Sequence, residues 1–79
     1  MKFYTAEAVN EFVNENSENI VDIFEGTLLD SYILNIDNCY ILIMPHVINH
    51  WQSKHIIFNF DNLEDCYNKL GINANDERN

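Results

Sequence analysis

The sequence predicts a small α+β domain of order α-β-β-β-α, a three-stranded antiparallel meander packed against a long acidic N-terminal helix and a short C-terminal helix. Three observations point there. Apolar residues recur at spacings of three and four from Val9 to Phe24, and they alternate with period two between 28 and 60. A capping sequence at 61 then opens a second pattern of threes and fours. The 79 residues allow one domain, assigned to 1–72, with a polar tail at 73–79 that reads as disordered.

The first element starts at Thr5, a suitable N-cap, with Tyr4 and Val9 placed to form a hydrophobic staple and Glu7 in the first turn. Val9, Phe12, Val13, Asn16, Ile20, Ile23 and Phe24 then make one stripe, and Gly26 supplies a left-handed C-terminal cap. Residues 14–19 are poor helix formers, and Ser17 could cap a second helix. The apolar phase passes through that gap without slipping, so the expectation is one helix over 5–25.

Residues 28–36, 39–45 and 54–60 read as strands, with Asp37-Asn38 as a two-residue hairpin turn. Pairing Leu34 with Ile41 and Tyr32 with Ile43, then Ile43 with Ile56 and Ile41 with Phe58, puts all of them on one face. The expected core is Val9, Phe12, Ile20, Ile23, Leu34, Ile41, Ile43, Ile56, Phe58 and Leu70. The other face, with Ile33, Leu42, Met44 and Ile57, is too apolar to stay bare. It calls for the second helix, a second copy of the chain or a partner.

Residues 45–53 read either as a loop with a helical turn or as an extension of the hairpin. In the last element Asp61 is the expected N-cap with Glu64 at N3, and Leu63, Cys66, Tyr67 and Leu70 share a face. Gly71 ends that helix, with Ile72 placed against Tyr67.

Thirteen acidic residues face four basic ones, for a net charge of −9. The bases are Lys2, Lys54, Lys69 and Arg78, with none from Phe3 to Ser53. Direct binding to nucleic acid or to an anionic membrane needs clustered Lys and Arg, so neither is expected. The longest apolar run, 39–44, is far shorter than the roughly 20 residues that cross a bilayer. The N-terminus does not read as a signal peptide, and Cys39 and Cys66 read as reduced core thiols, which suits a cytoplasmic protein.

On a continuous helix Glu7, Glu11, Glu15, Glu18, Asp22 and Glu25 fall within an arc of roughly 80°, nearly opposite the apolar stripe. They span about 27 Å, a charge density of the same order as one phosphate per 3.4 Å along a DNA strand. Each like-charge neighbour at three or four spacing destabilises the helix by roughly 0.2–0.5 kcal/mol, and no base relieves it. The bland reading is a solvated helix face. The sharper one is a surface for a basic partner.

Catalysis and metal binding find no support. Ser17, Ser31 and Ser53 lack a nucleophile context, and both glycines are explained as caps. His46, His50 and His55 match no zinc spacing with the cysteines. No enzyme activity, cofactor or metal is expected. Trp51, in a polar stretch, reads either as an exposed anchor for a partner or as a ring folded over the core edge.

In size and charge the chain resembles the small acidic inhibitors that phages and other mobile elements direct against host defences. Anti-CRISPR and DNA-mimic anti-restriction proteins are among them. The likeness covers no motif and no particular residue. It implies an inhibitor that binds the nucleic-acid-binding surface of a host defence protein, and the charge pattern makes Glu7, Glu11, Glu15, Glu18, Asp22, Glu25 and Trp51 the residues expected to contact it. One alternative is an immunity protein, antitoxin or adaptor that binds a basic partner without copying DNA. A second is a homodimeric accessory protein joined through the outer sheet face.

Overall fold

The computed structural model describes residues 2–49 and 52–71. His50, Trp51, Ile72 and the tail at 73–79 lie outside the described residues. The class is α+β, with helix α1 (Ala6–Glu15), a 3-10 turn (Ser17–Asn19), strands β1 (Ile20–Phe24), β2 (Ser31–Ile36), β3 (Cys39–Asn49) and β4 (Gln52–Phe60), and helix α2 (Leu63–Leu70). The strands form one antiparallel sheet of order β1-β2-β3-β4.

The long helix over 5–25 is corrected to a short helix and a fourth strand. Thr5 caps α1 as expected, its hydroxyl accepting from the Ala8 N–H at 3.1 Å. Asn16 stops it. Its backbone N–H reaches the Phe12 and Val13 carbonyls, and its side-chain amide donates to Phe12 O at 2.9 Å. Local side-chain bonding of this kind competes with helix continuation. Beyond it Ile20-Val21-Asp22-Ile23 is β-branched at three of four positions, a composition that suits a strand. Gly26 is therefore not a helix cap. It lies in the β1–β2 loop, where a Cβ would collide with the Leu29 carbonyl oxygen.

The first hairpin has the expected register, Tyr32 facing Ile43 and Leu34 facing Ile41. Asp37 and Asn38 both adopt positive φ, 53° and 66°, as a type I′ turn requires. The second hairpin is displaced by one residue: Ile43 faces Ile57, and Leu42 faces Phe58. One residue of slip turns a whole strand over. β4 therefore sends Phe58 to the face opposite Ile43, and Ile57 to the same face.

Residues 45–49 continue β3, so this stretch extends the hairpin. Pro45 is tolerated in a central strand because its partner His55 turns both backbone groups away from it. Those groups bond Tyr4, with N···O distances of 2.8 and 2.9 Å.

The single expected core is two. On one face α1 places Val9 and Val13 over Leu34 and Ile43, with Phe12, Ile20, Tyr32, Ile41 and Ile57 around them. On the other, α2 places Cys66 over Ile33 and Leu42, with Phe24, Met44, Phe58, Leu63 and Leu70 around them. Ile23, assigned to the core, is 47% exposed on edge strand β1. The apolar face that invited a second copy of the chain is thus covered by α2. The N-cap of α2 is Asn62, one residue later than Asp61, its side-chain oxygen accepting from Asp65 N–H at 2.9 Å. Gly71 closes α2 in the left-handed conformation, φ 84°.

Candidate partner-binding site

The six carboxylates expected in one row separate into four settings. Glu7, Glu11 and Glu15 are exposed on α1, eight residues or about 12 Å from first to last. Glu7 lies in the first turn, where a negative charge is favoured. Glu15 lies in the last turn, where the helix dipole opposes it and no base offsets it. Glu18 is exposed in the 3-10 turn, and Glu25 is exposed just beyond β1.

Asp22 is not a surface acid of this row. Half-buried in β1, it accepts from its neighbour's Ile23 N–H at 2.9 Å and from the Tyr67 hydroxyl at 2.9 Å. Its carboxylate ties β1 to α2 and satisfies an N–H on the edge strand. Burial, followed by the hydrogen bond to Asp22 and its negative charge, pushes the Tyr67 hydroxyl above its ordinary pKa. Asp22 is therefore a positioning residue of the fold.

Beside the row a cavity of about 240 Å³ opens between α1 and the sheet, lined by Tyr4, Ala8, Val9, Phe12, Ile43 and Ile57. On this flank α1 presents only the methyl group of Ala8, while Val9 and Val13 pack over Leu34 and Ile43. Ala8 is exposed and Phe12 half-buried, so the cavity faces outward past the helix. Lys2 sits over the Tyr4 ring at 5.3 Å.

Sequence patterning did not reveal this cavity. It assigned Ile57 to the opposite face and gave Ala8 no role, although an alanine beside an apolar helical stripe is the available signal. Trp51 lies outside the described residues.

The remaining reactive side chains are dispersed. Cys66 is buried, and burial followed by the nearby Asp65 raises its thiol pKa. Cys39, expected in the core, is exposed at the start of β3, next to the turn. His55 is buried, with its Nε2 2.9 Å from the Asp30 carbonyl, while His46 stacks on Phe3 with ring centroids 5.3 Å apart. Among the described residues no three His, Cys, Asp or Glu side chains gather as a metal site, and no helix is long and apolar enough to cross a membrane.

Comparison of the chain with protein-family models, curated proteins and solved structures finds no match.

Proposed function

We propose that this is a small, non-catalytic acidic inhibitor, of phage or mobile-element character, acting in the cytoplasm. Its α1 carboxylates cover a basic surface of a host defence protein that otherwise holds nucleic acid, in the manner of an anti-CRISPR or anti-restriction protein. The observation that supports it is the exposed row Glu7, Glu11 and Glu15, carried on a helix that has no basic residue of its own and is anchored from its other side by Val9 and Val13. Such a row loses stability through like-charge repulsion and gains when a basic surface meets it. A soluble inhibitor needs neither cofactor nor metal, and the protein would not bind nucleic acid itself.

A second reading draws support from the shortened row. Three carboxylates on α1 span about 12 Å, less than half of the expected length of about 27 Å, and Asp22 is engaged within the fold. An immunity protein, antitoxin or adaptor uses such charge to speed association without copying DNA.

Competition separates the two. Partners captured at low salt are offered labelled duplex DNA or single-stranded RNA with and without the protein. An inhibitor that mimics nucleic acid displaces it, and the combined Glu7→Lys, Glu11→Lys and Glu15→Lys variant fails to do so. A captured partner that keeps its nucleic acid in the ternary complex favours the second reading.

A further inference from the structure

The α1 carboxylates and the cavity share one flank of the helix. With Glu11 set at 0° and about 100° per residue, Glu7 falls at about −40°, Glu15 at about 40°, Ala8 at about 60° and Phe12 at about 100°. Val9 and Val13 lie at about 160° and −160°, facing the sheet. The opposite flank carries Ala6, Asn10 and Asn14, none of which lines the cavity. A row of negative charge therefore runs along the lip of an apolar opening.

Building on the reading of the protein as an acidic binder, we infer that this cavity receives one large aliphatic or aromatic side chain from a basic polypeptide segment of the partner. The Lys or Arg residues beside that anchor meet Glu7, Glu11 and Glu15. Size is the first reason. At about 240 Å³ the cavity lies below the range of about 300–1,000 Å³ usual for small-molecule pockets, and it suits a single side chain. Charge is the second. A second copy of this chain brings another net −9, and nucleic acid brings like charge, so both are repelled from this lip. The Tyr4 wall already accommodates the Lys2 ammonium at 5.3 Å, so a cation beside this apolar surface has a precedent within the molecule. An apolar anchor seated in a pocket, with a polar rim around it, is the usual anatomy of a protein interface.

The test uses three short Lys-rich peptides that differ at one central position, carrying Trp, Leu or Ser there. They are titrated at low salt into the full chain and followed by NMR. The Trp and Leu peptides should bind about tenfold or more tighter than the Ser peptide, shifting resonances of Ala8, Phe12 and Ile57. Ala8→Phe, which fills the opening, should abolish that preference and leave affinity for the Ser peptide unchanged. Ala8→Leu serves the same purpose if Ala8→Phe does not fold. The triple Glu-to-Lys variant should weaken all three peptides alike.

Equal affinity for the three peptides overturns the cavity assignment while leaving the acidic surface in place. So does a preference that survives the filling of the cavity in a folded variant. Binding unaffected by the charge reversal overturns the acidic reading itself, and no binding by any peptide overturns both.

Discussion

The two faces of the sheet are covered by helices of similar length and to very different effect. Under α2, Ile33, Leu42 and Cys66 are completely excluded from solvent. Leu63, Tyr67 and Leu70 close the margin, and Lys69 lays its ammonium 4.7 Å over the Phe58 ring. Asp22 adds a polar tie from β1 to Tyr67. Under α1 the central residues Leu34 and Ile43 are as fully buried, yet one flank is left open where Ala8 fails to fill the space above Ile57. Both faces hold the fold together, and the difference lies at their margins. The α2 margin is closed by large side chains. The α1 margin combines a small side chain with three exposed acids, an arrangement suited to contact with something else.

The strongest way to break this comparison is to truncate one central residue on each face. Leu42→Ala beneath α2 and Leu34→Ala beneath α1 should each cost about 2–5 kcal/mol in urea denaturation, enough to unfold much of so small a domain. A mild effect on either side would mean that its helix is not the cover described here.

Next in size is the contrast between two acids of the expected row. Asp22→Ala removes the acceptor for both Tyr67 and the Ile23 N–H and should cost about 1–3 kcal/mol. Glu11→Ala, exposed on α1, should stay within about 0.5 kcal/mol of wild type. Thermal melts of the two variants decide whether the division between structural and surface carboxylates holds.

Filling the open margin should move stability in the other direction. Ala8→Leu is expected to raise stability by about 0.5–2 kcal/mol, because it closes a cavity at a good helical position. A loss of stability would show that the opening cannot accept a side chain from the helix.

Alkaline titration sharpens the comparison further. Burial raises the Cys66 and Tyr67 pKa values on the α2 side, and burial with Asp30 raises that of Tyr32 on the other. A raised folded-state value contributes stability that is fully present below the unfolded value and is lost as pH rises through the folded one. The melting temperature should therefore begin to fall above about 9, where Cys66 ionises when unfolded, and fall further above about 10 as the tyrosines follow. Tyr67→Phe should start from a lower stability and show a shallower alkaline decline.

Much of this architecture was legible in the sequence wherever a local rule sufficed. The Thr5 cap, the Asp37-Asn38 turn, the pairing of β2 with β3 and the Gly71 stop each depend on residues close together in the chain. The acids of α1 were legible for the same reason, since a helix sets the direction of Glu7, Glu11 and Glu15 once it forms. The failures began where two local readings were equally good. Ile20, Ile23 and Phe24 continue a helical stripe and also suit a strand. Only the edge of β2, available to pair with them, resolves the choice.

Composition and local pattern by themselves determined the α+β class, the acidic surface and the α1 carboxylates, because these follow from residue type and from spacing within a few turns. The tertiary structure decided the register of β4, the division of one expected core into two, the inward turn of Asp22 and the cavity beside Ala8. In β4 the apolar set is Ile56, Phe58 and Phe60, and because both faces of the sheet are covered by a helix, hydrophobicity cannot choose which face receives it; the choice falls to the hairpin connection and to what each helix covers. Asp22 and Tyr67 stand 45 residues apart, and no local rule brings them together. A cavity belongs to the fit between elements, where Ala8 meets Ile57 only after helix and sheet have packed.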